Sequence, residues 1–324
     1  MIPETIKKFS QQLAFDPVIE NARKLCSTKS FIIAGMGGSH LAADLLKIWN
    51  PSAPIIVHSN YALPHLPIEE LKHNLVIASS YSGNTEETID AFEKARSRKL
   101  KVAAISTGGK LLKLAKKYDT PFIQLPDVKI QPRSAIGFSA VAMLKMIGEE
   151  KELAKLKKLA QSINPADIEA AGKKLAEKLR DLTPIIYSSA ANFPIAYNWK
   201  IRFNETGKIP AFCNAIPEAN HNEILGFVLN DGAEIFSKRF GFIFLNDQAD
   251  HRRNKLRMET LSGLYEKAGL TVARADLKGK TVWEKIFNSL ILADWTSYYS
   301  AKLHGFDPEK ENLVDKFKEM IKPK

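Results

Sequence analysis

The chain has 324 residues, of which 45% are hydrophobic and 26% are charged, and its formal net charge is +11. This length favours two domains, since single hydrophobic cores stop growing near about 250 residues. No apolar run approaches the ~20 residues that span a bilayer, and the first residues lack the apolar segment of a secretory signal. We therefore expect a cytoplasmic protein that does not bind membranes.

The basic charge is compatible with binding of nucleic acid, of a membrane surface or of small anions. The lysines are scattered along helical stretches, and no arginine cluster alternates with aromatic residues, so binding of nucleic acid is not supported. A basic surface still raises the encounter rate with a small anion. Cys26 and Cys213 have no CxxC spacing, so we expect neither a disulfide framework nor a zinc site, and we interpret both as buried or incidental thiols.

Predicted strands and helices alternate along the first half of the chain, after an N-terminal helix. Short apolar runs predict strands, and segments with a period near 3.6 residues predict helices. The predicted strands are 30–34, 54–57, 74–79, 101–106 and 122–125, and the predicted helices are 41–49, 85–98 and 111–117. This alternation predicts right-handed crossovers and a mainly parallel sheet with helices on both faces.

The alternation stops at residues 149–178, which are rich in Lys, Glu and Ala, and then begins again. We therefore predict an N-terminal domain (1–150), a helical linker (151–180) and a C-terminal domain (181–324). In the second half the predicted strands are 184–188, 211–214, 240–245 and 270–273, and the predicted helices are 191–203, 218–226, 251–267 and 283–303. The predicted fold class is α/β, with two similar doubly wound domains.

Two unusual loops follow predicted strands of the first half. Residues 79–85 (SSYSGNT) place hydroxyls and backbone N–H groups at the first turn of a helix, where the helix dipole favours an anion. Thr85, Glu86 and Glu87 can cap that turn. Residues 35–39 (GMGGS) match neither a P-loop nor a full dinucleotide fingerprint, so this loop is either a ligand contact or a tight turn. The second half lacks both loops, and we expect phosphate binding in the first half.

Six sequence blocks resemble a known family. GMGGS (35–39) and SYSGNTEET (80–88) resemble the signature of sugar-isomerase (SIS) domains. The others are similar to bifunctional phosphoglucose/phosphomannose isomerases: PRSAIGFS (132–139), FNETGKIPAF (203–212), PEANHNEILGF (217–227) and HGFDP (304–308). The resemblance implies a protein of two SIS-like domains that interconverts glucose 6-phosphate and fructose 6-phosphate with neither a metal nor another cofactor, and it leaves open whether mannose 6-phosphate is also a substrate.

The resemblance also implies which residues bind the phosphate of the substrate. By position in the two loops they are the backbone of Gly38 and the hydroxyls of Ser39, Ser80, Ser82 and Thr85. Hydroxyls and N–H groups suit a phosphate monoester because its three terminal oxygens accept many hydrogen bonds.

The same comparison implies the catalytic residues. Glu205 would move a proton between C1 and C2 of the sugar, and Arg133 would face the enediolate that forms. A carboxylate suits proton transfer next to a carbonyl, and a guanidinium stabilises developing negative charge. His221, offered by the partner subunit of a homodimer, would assist ring opening. Lys318 would share that task, with Lys302 and Lys316 as rivals.

Lys318 lies in a predicted C-terminal helix with one apolar face, formed by Leu313, Val314, Phe317 and Ile321. We expect this face to dock the helix on the body of the protein. Residues 307–312 (DPEKEN) lack the Thr-Pro that commonly follows in the family, which leaves activity on mannose 6-phosphate open. Two other functions also remain open at this point: an amino-sugar-phosphate deaminase or deglycase of the same fold, and a non-catalytic sugar-phosphate-binding regulator.

Overall fold

The computed structural model describes residues 2–227 and 234–321, which form two compact units. The N-terminal unit contains residues 7–164, and the C-terminal unit contains residues 2–6 together with the described residues from 165 onward. The boundary falls within the predicted linker 151–180. The helices of that stretch pack within the two units, one in each. No helix among the described residues is long and apolar enough to cross a membrane.

The N-terminal half of the chain alternates strands and helices. Its strands are β1 (Phe31–Ala34), β2 (Ile55–His58), β3 (Leu75–Ser79), β4 (Lys101–Ser106) and β5 (Phe122–Gln124). Its helices are α1 (Ile2–Lys7), α2 (Phe9–Leu13), α3 (Gly38–Trp49), α4 (Ile68–His73), α5 (Glu86–Ser97), α6 (Gly109–Lys117), α7 (Ile136–Met146) and α8 (Glu150–Ser162). The five strands form a parallel sheet in the order β2-β1-β3-β4-β5.

The two central strands explain why this half folds as a layered sheet. All residues of β1 and β3 are buried, as expected for a parallel sheet covered by helices on both faces. On one face, Ile32 and Val76 pack with Ala91 of α5. Burying each large aliphatic side chain contributes about 1.5–3 kcal/mol, so these strands fix the core of the unit. The loops that follow β1, β3 and β4 all leave the sheet at its carboxyl edge.

The C-terminal half repeats this arrangement. Its strands are β6 (Thr183–Ser189), β7 (Phe212–Ile216), β8 (Phe240–Asn246) and β9 (Thr271–Asp276). Its helices are α9 (Ala166–Lys178), α10 (Phe193–Arg202), α11 (Glu234–Ser237), α12 (Arg252–Lys267), α13 (Val282–Leu303) and α14 (Asn312–Met320). The parallel order β7-β6-β8-β9 corresponds to β2-β1-β3-β4 of the first sheet. The predicted fold class, two doubly wound α/β domains of one kind, is confirmed.

Some local predictions are wrong. The predicted helix 218–226 consists of two 3-10 turns, Glu218–Asn220 and Glu223–Gly226, separated at His221. The short helix α4 and the buried helix α7 were not predicted. Helix α7 is apolar around its whole circumference, which hides the periodicity that marks a surface helix.

The two cysteines, interpreted from the sequence as buried or incidental thiols, differ in exposure. Cys26 is exposed, whereas Cys213 is half-buried and burial raises the pKa of its thiol to about 11.

The apolar face of α14 is exposed in the isolated chain, against the expectation that it docks on the body. The exposed fraction is 81% for Leu313, 59% for Phe317 and 51% for Ile321. An amphipathic pattern predicts that a helix has an apolar face, but it does not say what covers that face.

Candidate functional site

The serine loop, residues 79–85, joins β3 to α5 and is held in shape by its own hydroxyls. The hydroxyls of Ser80 and Thr85 lie 2.8 Å apart, and Ser80 Oγ accepts the N–H of Gly83 at 3.1 Å. Ser80 is 1% exposed. Thr85 occupies the position before the first residue of α5, but its side chain makes no capping hydrogen bond, against the sequence-based expectation. Ser80 and Thr85 therefore fix the loop around the first turn of α5.

A hydrogen bond links the glycine loop, residues 35–39, to the serine loop. Ser39 Oγ accepts the N–H of Tyr81 at 3.1 Å, and Ser39 is 4% exposed. A hydroxyl that accepts one hydrogen bond still has its own proton to donate. Ser82 differs from these residues because it is exposed, with its Oγ accepting the N–H of Asn84 at 3.3 Å. The arrangement leaves Ser82 as the most accessible hydroxyl of the cradle, by which we mean residues 35–39 together with 79–85.

A third loop, whose role was not predicted from the sequence, packs against the serine loop of the cradle. It follows β4, and Thr107 donates its hydroxyl to the carbonyl of Tyr81 at 2.7 Å. Gly83 has φ +71°, and a Cβ at this position would lie 1.9 Å from the carbonyl oxygen of Gly108. Only glycine fits such a close backbone approach. The pair Gly108-Gly109 at the end of a predicted strand was the sequence signal for this loop.

Gly38 brings Arg133 next to the glycine loop. A Cβ on Gly38 would lie 2.5 Å from the carbonyl oxygen of Pro132 and 3.1 Å from the backbone nitrogen of Arg133. The 3-10 turn Pro132–Ser134 therefore packs directly on the start of α3. Arg133 itself is 2% exposed. Its guanidinium is a permanent cation, so the structure places a fixed positive charge in the segment that abuts the cradle.

Glu205 lies in the C-terminal unit, where α10 ends. Residues Phe203–Gly207 form a π-helical turn, a rare conformation that is frequent at functional sites. Arg202, immediately before this turn, is 1% exposed, and its Nε donates to Asp294 Oδ1 on α13 at 2.6 Å. This ion pair anchors the end of α10 to α13. The side chain of Glu205 is exposed in the isolated chain.

Lys208 connects the turn of Glu205 to the C-terminal segment. Lys208 has the left-handed conformation, with φ 59°, and its Nζ donates to the carbonyl of Glu205 at 2.6 Å. The same ammonium group also donates to the carbonyl of Lys310. The backbone around Glu205 is thus tied to the segment that leads into α14. The resemblance assigned no role to this lysine of the NETGK block.

His221 lies between the two 3-10 turns that follow β7, and its side chain is exposed. The backbone N–H of His221 donates to the carbonyl of Glu218 at 2.9 Å, and Ala219, two residues earlier, is buried. The backbone around His221 is therefore ordered although the imidazole faces outward.

The structure does not favour any one of the three lysines considered for ring opening. Lys302, Lys316 and Lys318 are all exposed. The choice of Lys318 stays a prediction.

Within the N-terminal unit, the structure brings together every residue predicted to bind phosphate and also Arg133. Glu205, His221 and Lys318 belong to the C-terminal unit. Among residues 2–227 and 234–321, no cluster of three or more His, Cys, Asp or Glu side chains could hold a metal ion.

A parallel sheet with a hydroxyl cradle at a helix start defines a protein of the SIS fold. Tagatose-6-phosphate ketose/aldose isomerase from Escherichia coli has this fold, with a TM-score of 0.70 over 95% of this chain and 94% of its own, at 15% sequence identity. Residues 168–321 match the family described as the bacterial phospho-glucose isomerase C-terminal SIS domain.

Two relatives identify the family within that fold. The bifunctional phosphoglucose/phosphomannose isomerase of Aquifex aeolicus is 30% identical over 98% of both chains. The protein of the same name from Caldicellulosiruptor bescii is 33% identical, over 90% of this chain and 88% of its own. The chain belongs to the bifunctional phosphoglucose/phosphomannose isomerase family, and the resemblance seen in the sequence is confirmed.

Proposed function

We propose that the protein interconverts glucose 6-phosphate and fructose 6-phosphate by proton transfer between C1 and C2, with mannose 6-phosphate as a further substrate. The observation that carries this proposal is the hydroxyl cradle: Ser39 bonded to the serine loop at the start of α5, next to a buried arginine. Such a site offers neutral donors and a helix dipole to a phosphate monoester. The relatives named above support isomerisation, and neither is named as a deaminase.

In the proposed mechanism, the cradle binds the phosphate and so fixes the position of the sugar. Ser82 donates its hydroxyl to a phosphate oxygen, and the N–H groups at the first turn of α5 donate to the others. Ser80 and Thr85 contribute mainly by holding the loop, since their hydroxyls already pair with each other. Fixing the substrate in this way converts proton transfer into an intramolecular step.

Glu205 acts as the base in this proposal. Its carboxylate takes the proton from one carbon and returns it to the next, while the hydroxyl proton moves between O1 and O2, so that a single base serves both directions. The intermediate is an enediolate, and its negative charge is stabilised by the guanidinium of Arg133. His221 and a lysine, for which we propose Lys318, assist ring opening by moving a proton to or from the ring oxygen.

We further propose that the protein works as a homodimer in which His221 serves the sugar bound by the partner subunit. The exposed imidazole on an ordered loop supports this, because the side chain is available to a second molecule. The exposed apolar face of α14 also favours association, since contiguous apolar surface of this kind is typical of interfaces.

The activity is tested by incubating the purified protein with fructose 6-phosphate in the presence of EDTA and coupling the product to glucose-6-phosphate dehydrogenase. We expect formation of glucose 6-phosphate with a kcat on the order of 1–10³ s⁻¹. Parallel reactions start from mannose 6-phosphate and from glucosamine 6-phosphate. Release of ammonia from glucosamine 6-phosphate, without conversion of fructose 6-phosphate, would replace the proposal by the deaminase alternative.

A further inference from the structure

Glu223 lies two residues after His221, and both of its carboxylate oxygens are held by neighbouring strands. Tyr187 of β6 donates its hydroxyl to Oε1 at 2.6 Å, and the amide nitrogen of Asn214 of β7 donates to Oε2. Tyr187 and Asn214 are register partners in the parallel pair, so their side chains lie on the same face of the sheet. A carboxylate bound at both oxygens cannot rotate away without losing both bonds.

Tyr187, one of the two donors of this clamp, is held in the core of the C-terminal unit. Tyr187 is 1% exposed and packs against Phe242, Phe244 and Tyr265. Burial, together with the nearby Tyr265 and Glu223, raises the pKa of the Tyr187 phenol well above its usual range, so the hydroxyl stays protonated and continues to donate. Hydrogen bonds to a carboxylate are stronger than those between neutral groups.

The clamp fixes the loop of His221 on its C-terminal side, and a second anchor fixes it on the other side. On that side Ala219 is buried, and the Asn222 side-chain amide donates to Glu218 Oε1 at 2.9 Å, a bond that links the residues on either side of His221. His221 lies between these anchors with its ring exposed. The loop is therefore braced around a side chain that makes no contribution to the core.

We propose that Glu223, held by Tyr187 and Asn214, is a positioning residue that sets the orientation of His221 and thereby the rate of sugar ring opening. This inference rests on the proposed function, because it requires His221 to act on the sugar ring. Proton transfer between C1 and C2 does not depend on the clamp, so only substrates that must open a ring depend on Glu223.

Glu223→Gln tests this dependence. The variant keeps the size of the side chain but replaces one carboxylate oxygen by an NH2 group, so only one of the two donors, Tyr187 or Asn214, keeps its acceptor. We expect the rate on fructose 6-phosphate to fall about 10- to 100-fold, as is common when a supporting hydrogen bond to a functional group is lost. The second substrate is 5-deoxyfructose 6-phosphate, which cannot close a ring because O5 is absent and O6 is phosphorylated. Its C1 proton exchange in D2O, followed by NMR, should keep the wild-type rate.

Tyr187→Phe is the second variant, in case Glu223→Gln unfolds, and it should show the same selective loss to a smaller extent. Tyr299→Phe is the matched control, since it removes a comparable bond from Tyr299 to Glu169, at 2.7 Å, between α13 and α9. It should leave both rates unchanged. In a His221→Ala background, Glu223→Gln should add no further loss on fructose 6-phosphate, because one residue acts through the other.

An equal loss on the cyclic and the acyclic substrate, or a loss that persists in the His221→Ala background, would overturn the proposal and leave Glu223 with a structural role only. Unchanged activity of both clamp variants would overturn it as well. Failure of the proposed function is distinguishable: the wild-type protein would then exchange no C1 proton in either substrate, and the inference would fall with it.

Discussion

Replacing Glu205 by Gln is expected to lower kcat for fructose 6-phosphate by about 10²–10⁴-fold, the usual contribution of a general base. Glutamine has the same size but cannot accept the proton from carbon. Since phosphate binding is assigned to the cradle, the Kd of a sugar-phosphate analogue should change little. The measurement is the coupled isomerase assay together with calorimetric titration of 5-phosphoarabinonate, a hydroxy-acid phosphate that resembles the enediolate.

Glu259→Gln is the matched control, because Glu259 is an exposed glutamate on α12 in the same unit. It should retain wild-type kcat. If Glu205→Gln kept near-normal turnover while the protein remained folded, Glu205 would have to be withdrawn as the base. If it lost turnover and analogue binding together, Glu205 would instead contribute to binding.

Gly38→Ala is expected to lower kcat/KM by about 10²-fold, because misplacement of binding groups by about 1 Å can have an effect of this size. The added Cβ would lie 2.5 Å from the carbonyl oxygen of Pro132, so the glycine loop and the segment of Arg133 must separate. Such overpacking costs about 1–3 kcal/mol of folding stability. Steady-state kinetics and urea unfolding measure the two effects.

Gly263→Ala provides the comparison, since a Cβ on Gly263 in α12 would meet no atom within 4 Å. Alanine in a helix interior is about 1 kcal/mol more favourable than glycine, so this variant should be at least as stable as the wild type and fully active. Unchanged kcat/KM in Gly38→Ala would show that the contact between the loop and the Arg133 segment is not required for catalysis.

The sheets were predictable because their strands are buried on both faces. Residues 31–34 are apolar throughout and residues 75–79 are apolar except for Ser79, and both runs are fully buried, as a central parallel strand requires. The position of the cradle was predictable for a related reason: loops after such strands meet at one edge of the sheet. The family blocks then predicted which side chains of these loops bind the substrate, and that assignment stays a prediction.

The contacts between loops were not predictable, because they join residues far apart in the chain. Ser39 bonds the backbone of Tyr81, 42 residues later, and Gly38 contacts the segment of Arg133. Thr85 looked like a helix cap, but its hydroxyl pairs with Ser80 instead. A local sequence pattern cannot show whether the Thr85 hydroxyl bonds the backbone of α5 or the hydroxyl of Ser80. The choice depends on how the loop folds in three dimensions.

The clamp on Glu223 shows the same limit in the second unit. Its two donors meet only because β6 and β7 pair in a register that sets Tyr187 beside Asn214. In the sequence, Glu223 is simply an acidic residue after an asparagine. The apolar face of α14 is the opposite case, since its pattern was visible in the sequence but its exposure was not.

Mixing two impaired variants, Glu205→Gln and His221→Ala, tests most directly whether one active site is built from two copies of the chain. The variants are combined in equal amounts, dissociated in mild urea and reassociated. In mixed dimers, one of the two sites would combine an intact Glu205 with an intact His221 from the partner subunit. About a quarter of all sites, and hence about a quarter of wild-type isomerase activity, should return.

Two controls are needed. Each variant treated alone gives the activity without mixed dimers, and wild-type protein carried through the same cycle gives the activity that is recovered after reassociation. Return of about a quarter of the activity would support Glu205, His221 and the shared site together. If the mixture were no more active than its components treated alone, although mixed dimers form and the wild type recovers, a shared site would be contradicted.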